Sequence, residues 1–221
     1  MKSLNKCSFC SEFHSDPFGD LFLEIAKEFV DVTSRILLET EHWVVVPTIG
    51  SIVPGYLLVV SKVHYTSVSA MPDSAYFELN EIIKSIKSLF GILYKQKTLV
   101  FEHGAISSTN KGPCCVDHAH VHVVPFSDIV IYPTLEKELG PFYYPNSFLE
   151  IKKKVNETNL PYLFFQDTDG AQYLTFGESI PSQYLRKFIA SYTVYPGRWN
   201  WLEYPFLDNM IDTINTFKNR I

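Results

Sequence analysis

His118-Ala119-His120-Val121-His122-Val123-Val124-Pro125 is the stretch that decides how this chain is read. Three histidines stand two residues apart, separated by apolar residues. Successive side chains of an extended strand alternate between faces, so all three imidazoles are predicted on one face. Ala119, Val121 and Val123 then point the other way, into a core. Imidazole is the side chain whose ordinary pKa lets it act as base, nucleophile or metal ligand near neutral pH. A solvated histidine run would lack the apolar alternation, and a purely structural strand would have to satisfy three adjacent buried imidazoles.

Working outward from this strand, Leu99 to Glu102 reads as another strand, and a Gly-, Ser- and Asn-rich loop from Gly104 to Pro113 joins the two. Upstream, Pro72 opens a long helix to about Lys95, with Tyr76, Phe77, Ile82, Ile83, Ile86, Phe90 and Leu93 on its buried face. Tyr56 to Ser61 reads as a strand after the Pro54-Gly55 turn, and Ser34 to Glu39 pairs with Trp43 to Val46. Leu21 to Val32 has helical spacing, and the N-terminal stretch around Cys7-Ser-Phe-Cys10 reads as turn-like. This order predicts an α+β fold, an antiparallel sheet with one long helix, over residues 1–126. Residues 127–221 read as a smaller α/β extension or cap. It holds a connector with a short helix near Phe148 to Val155, then a hairpin, Tyr162 to Gln166 and Gln172 to Phe176, around Asp167-Thr168-Asp169-Gly170. Two helices, Ser182 to Tyr192 and Phe206 to Phe217, close it.

The chain has 221 residues, 46% of them apolar, and a net charge of −5. That is enough apolar residue for a sizeable core. The acidic balance argues against a nucleic-acid partner, since Lys152-Lys153-Lys154 is the one basic cluster and reads as a solvated helix face. There is no apolar run long enough for a signal peptide or a membrane span, so no membrane partner is expected. Four cysteines in that setting read as reduced thiols of a cytoplasmic protein.

The His-x-His-x-His motif, followed by two apolar residues and proline at the end of such a unit, resembles the histidine triad (HIT) superfamily. Trp43 to His64, with its Pro54-Gly55 turn, is similar to that family's paired strands, and Phe101-Glu102-His103-Gly104 to its glycine-ended strand before the triad. The resemblance implies a nucleotide hydrolase acting on dinucleoside polyphosphates or nucleoside phosphoramidates, or a nucleotidyl transferase. His120 is then the nucleophile that forms a nucleotidyl-histidine, His122 donates to the phosphate oxygens, and His118 completes the triad. The third triad histidine favours hydrolysis over transfer. The resemblance also implies a substrate pocket involving Thr48, Glu102, His103, Gly104 and Cys115. Here the sequence departs from the family pattern: Thr48 replaces an acid or amide for ribose, Tyr56 a histidine, and Cys115 a serine or threonine. The implied partner is a small nucleotide or phosphate-ester substrate, and the implied assembly a homodimer through the long helix and an edge strand.

Cys7-x-x-Cys10 has the spacing of one corner of a tetrahedral zinc site. Branches of the superfamily combine it with two histidines, which implies a structural zinc held by Cys7, Cys10, His64 and His118. Cys114 and Cys115, adjacent on the chain, point apart and chelate one ion poorly. His14 and His42 read as surface residues. In the extension, Arg186 and Arg198 are candidate phosphate ligands, brought over the triad by the cap. Trp199 and Trp201 read as anchors of a small subdomain. Three other readings stand beside hydrolysis of a nucleotide: a triad-fold enzyme of specialised metabolism with a non-nucleotide substrate, a zinc hydrolase using His118 and His120 as ligands, and a non-catalytic nucleotide-binding protein.

Overall fold

The alternation at the triad behaves as its period demands. Val121 and Val123 are buried beneath the long helix, while His120 and His122 face the opposite side of the sheet. The structure is a computed structural model that describes residues 7–14, 20–27, 32–110, 112, 114, 116–127, 129–218 and 220–221. Cys115 and residues 28–31 of the expected first helix lie outside the described residues.

Among the described residues, seven strands form one antiparallel sheet: β1 (Leu38–Glu39), β2 (Trp43–Pro47), β3 (Leu57–Ser61), β4 (Lys97–Gly104), β5 (His120–Phe126), β6 (Tyr162–Gln166) and β7 (Gln172–Phe176). Their order across the sheet is β1-β2-β3-β5-β4-β6-β7. The triad strand is central, paired through His120↔Val60 and His122↔Leu58 on one side and His122↔Phe101 on the other. The strand starts at His120, so His118 lies just before it in a bend, free to turn its ring along a different line from the other two.

The long helix α3 (Ser74–Leu93) carries Leu79, Ile82, Ile83, Ile86 and Phe90 at helical spacing and packs them on Trp43, Val45, Leu57 and Val59. Trp43 donates its indole N–H to the carbonyl of Ala75 at 2.8 Å, which closes that layer. Phe77, expected on the buried stripe, is 74% exposed. One residue step turns a helix by about 100°, which carries Phe77 off the face that Tyr76 occupies. The strand expected from Ser34 shortens to β1, because Arg35 is drawn inward to Glu12 and to the carbonyl of Pro47.

The extension joins the same sheet. Its hairpin, β6 and β7, adds to β4 in the register Glu102↔Phe164 and Gly104↔Tyr162. Helix α5 (Phe148–Thr158) packs Phe148, Ile151 and Val155 on the α3 side, started by Ser147, whose hydroxyl accepts the N–H of Glu150. Helix α4 (Tyr132–Leu139) and helix α6 (Tyr184–Ser191) cover the opposite side. Two short helices were not foreseen: α4, which Pro133 starts, and α1 (Ser8–Phe13) inside the cysteine segment. Among the described residues the remaining α-helices are α2 (Leu21–Ala26) and α7 (Leu207–Phe217). The sheet is thus sandwiched, and the histidine face lies under the N-terminal helix and the extension.

Candidate active site

The site starts from one backbone carbonyl. His120 donates Nδ1–H to the carbonyl oxygen of His118 at 2.6 Å. That bond selects the tautomer that leaves the Nε2 lone pair unprotonated. Nε2 is therefore the ring atom with a free lone pair, and His120 lines a pocket. Burial pushes the His120 pKa below the ordinary imidazole range; the carbonyl bond works against that, and the nearby Arg186 charge adds to it. The ring is thus held neutral, as a nucleophile requires.

His122 lies beside it, ring centres 4.9 Å apart. Its Nδ1 meets the hydroxyl of Tyr56 at 2.9 Å, and its ring stacks flat on the cross-strand Phe101 at 4.3 Å. Tyr56 thus orients the third triad imidazole. Burial pushes the His122 pKa well down, helped by the charges that His120, His103 and Arg186 would carry. His103 reaches the same face from β4, edge-on to His122 at 6.0 Å, and its Nε2 accepts the backbone N–H of Leu185 at 3.4 Å. Burial drives its pKa to about 3.

Phe9, Ile49, Leu58 and Trp201 give the pocket apolar walls; its polar lining includes Glu12, Arg35, Thr48 and Arg186. Arg35 and Glu12 form a buried two-pronged ion pair, at 2.8 and 2.7 Å. Phe9, on α1, meets both His118 and His120 with its ring.

At one end of this face, Cys7, Cys10, His64 and His118 bring one ligand atom each within 4.8 Å of one another. Cys7 Sγ lies 3.3 Å and Cys10 Sγ 3.7 Å from His118 Nδ1, and Cys10 Sγ lies 3.4 Å from His64 Nδ1. Tetrahedral zinc, with bonds of about 2.0–2.3 Å, holds its ligand atoms roughly 3.3–3.8 Å apart, so this donor set fits it. His118 Nε2 sits 2.7 Å from the carbonyl of Ser61, which fixes the ring with Nδ1 turned to the thiols. His120 stands outside this cluster.

Residues 30–128 match the family model of the HIT domain. That stretch is a HIT domain. Solved structures similar to the chain include a HIT family protein from Bacillus anthracis, 14% identical, covering 71% of this chain and 97% of that one, with a TM-score of 0.42. A HIT family hydrolase from Clostridium thermocellum is 19% identical, covers 57% of this chain and 96% of that one, and has a TM-score of 0.37. A zinc-bound histidine triad family protein from Mycobacterium smegmatis is 17% identical, covers 48% and 75%, and has a TM-score of 0.36. No curated protein matches the chain.

The HIT domain does not bring all the expected residues together. Glu102 faces away from the triad, because β4 alternates and Phe101 and His103 take the histidine side. Its carboxylate accepts the N–H of Val68 at 2.7 Å and the hydroxyl of Tyr162 at 2.6 Å, buried on the α3 side. Gly104 shares that face; a Cβ there would stand 2.1 Å from the Tyr162 ring, so the glycine admits the tyrosine of β6. Thr48 does line the pocket, but its hydroxyl donates to the carbonyl of Ile49. Arg198 is exposed, its guanidinium beside the rings of Tyr195 and Tyr204, away from the triad. Cys114 is buried and donates to the carbonyl of Val116. His42 is half-buried rather than free on the surface, 2.5 Å from Glu78. Glu12 and Arg35 escaped notice in the sequence, since neither sits in a motif. Trp201, read as a subdomain anchor, is a wall of the pocket.

Proposed function

We propose that this chain is a histidine-triad hydrolase that cleaves a phosphorus ester, anhydride or amide bond of a nucleotide through His120. The observation that carries this reading is the bond from His120 Nδ1 to the carbonyl of His118, which leaves Nε2 as a neutral nucleophile in a pocket shared with His122. The Nε2 lone pair forms a bond to phosphorus as the bond to the leaving group breaks and that group departs with its electron pair and takes up a proton. Water then attacks the phosphorus of the nucleotidyl-histidine. It breaks the N–P bond, returns the electron pair to Nε2 and releases the phosphate product. His122, held by Tyr56 and Phe101, stands where it can meet the charge that builds on the phosphoryl oxygens. Cys7, Cys10, His64 and His118 would hold a structural zinc, which would pin α1 to the triad strand; no catalytic step passes through it.

A second reading keeps the chemistry and drops the nucleoside. Thr48 spends its hydroxyl on Ile49, and among the described residues the one carboxylate lining the pocket, Glu12, is paired with Arg35. A phosphate ester without ribose suits those walls. Product release from a panel of dinucleoside polyphosphates, nucleoside phosphoramidates and simple aryl phosphates, run with wild type beside His120→Asn, separates the two. Nucleoside monophosphate formed by wild type alone supports the first reading. Turnover restricted to aryl phosphates supports the second, and no turnover in any member overturns both.

A further inference from the structure

Arg186 arrives at the triad from outside the HIT domain, on α6 of the extension. It is 2% exposed, and it lines the pocket together with His120 and His122. Its Nε donates to the carbonyl of Trp199 at 3.2 Å and its Nη2 to the carbonyl of Gly50 at 2.7 Å. Its Nη1 is buried without a partner among the described residues. Among the described residues no carboxylate forms an ion pair with it. The other pocket cation differs in this respect: Arg35 is matched by Glu12 and bonds the carbonyl of Pro47 as well.

A buried guanidinium without a counter-charge is expensive, and an orphaned donor on it adds to the cost. The fold nonetheless clamps it in place. Its guanidinium carbon lies 5.3 Å over the ring of Tyr56, the residue whose hydroxyl holds His122. The Leu185 N–H bond to His103 ties the same turn of α6 to the triad face. Gly50 has φ +80°, and a Cβ there would stand 2.8 Å from Arg186 Nη2, so the loop is shaped to let the guanidinium in. A cation rigidly held, unpaired and facing a nucleophile is what an anionic substrate completes.

We propose that Arg186 is the phosphoryl-binding residue of this pocket: its free Nη1 takes a non-bridging oxygen of the group that His120 attacks, so the extension supplies the site's counter-charge. This rests on the reading of the triad pocket as a site of phosphoryl chemistry. It assigns the substrate a phosphate with at least one ionised non-bridging oxygen, and it makes residues 127–221 part of the site.

The test is binding of inorganic orthophosphate to the full-length chain, by titration calorimetry, for wild type, Arg186→Gln, Arg186→Lys and Arg198→Gln. Wild type and Arg198→Gln, whose guanidinium lies away from the triad, are expected to bind alike. Arg186→Gln is expected to bind roughly 10- to 100-fold more weakly, with Arg186→Lys between them. Equal binding by folded Arg186→Gln and wild type overturns the assignment, as does absence of wild-type binding at tens of millimolar phosphate. Should the variants fail to fold, the Arg186 Nε–H resonance of wild type decides: it shifts on adding phosphate if the assignment holds and stays fixed if it does not. Phosphate binding through Arg186 without turnover of any nucleotide or aryl phosphate would leave this inference standing and sink the hydrolase reading. Turnover with an unchanged KM in Arg186→Gln would do the reverse.

Discussion

His120 is held in one tautomer by a bond of 2.6 Å that no motif spells out, from its own Nδ1 to the carbonyl two residues earlier. Substitution by asparagine keeps a hydrogen-bonding side chain of smaller size and removes the imidazole proposed as nucleophile. Turnover in the substrate panel is expected to fall by about 10³-fold or more while ligand binding persists. Residual turnover near that of wild type would place the nucleophile elsewhere. Glu102 makes a different prediction, because it is a carboxyl buried away from the triad. Burial raises its pKa to about 7, against the opposing bonds from Tyr162 and Val68. A carboxyl whose folded pKa exceeds its unfolded value of about 4.5 contributes its full stability below that value and loses it as pH rises through 7. Between about pH 5 and pH 8 the wild type should therefore lose roughly 3 kcal/mol relative to Glu102→Gln, measured by urea melts across that window. Parallel pH profiles would show that the carboxyl titrates alike in both states. Gly104 yields a third test. An alanine there meets the Tyr162 ring, so Gly104→Ala is expected to destabilise by about 1–3 kcal/mol through a displaced β6.

At the scale of elements, the N-terminal helix α1 has little to hold it by itself. It is six residues long and no side chain caps its start. Such a helix is marginal in isolation. Cys7 and Cys10 beside His64 and His118, the Glu12–Arg35 ion pair and the Phe9 contacts with His118 and His120 tie it to the sheet. Cys7→Ser is expected to take bound zinc, measured by elemental analysis, from one equivalent per chain to near none, and to open residues 7–14 to limited proteolysis. Full zinc content in that variant would remove Cys7 from the ligand set. This element was half legible in advance. Cys-x-x-Cys has a ligand spacing that can be seen in a linear string, and the helix it starts does not. The long helix α3 was legible because its apolar period repeats for five turns, whereas the eight-residue α4 is too short to display one.

For the whole molecule, the decisive event is the docking of the hairpin β6–β7 on β4. The homodimer implied by the resemblance would join an edge strand and the long helix of two copies; here β4 is flanked on both sides within one chain. The far edge, β7, is in turn met by Tyr143 through a bridge to Leu174. With β4 satisfied internally, light scattering is expected to return the mass of a single chain across a broad concentration range; a stable twofold mass would mean that another surface pairs. Among the described residues no helix is long and apolar enough to cross a membrane. The extension also grips the loop between β2 and β3: Asn209 donates to the carbonyl of Ser51, Thr213 accepts the N–H of Gly55, and Trp201 packs on Gly50. The floor of the pocket belongs to the HIT domain and much of its roof to residues beyond it.

The sequence by itself determined the sheet strands, the long helix, the triad and the Cys-x-x-Cys corner, since each is written in local periodicity or spacing. It also located the hairpin at Asp167 to Gly170. Only the tertiary structure decided which way Glu102 and Gly104 face, that Tyr56 holds His122, and that Arg186 reaches the triad while Arg198 does not. The reason is physical: strand period assigns residues to alternate faces but says nothing about which face a given strand turns toward a given neighbour. The partners concerned are joined across about 60–160 residues of chain, by strand order and by buried hydrogen bonds that no local pattern encodes.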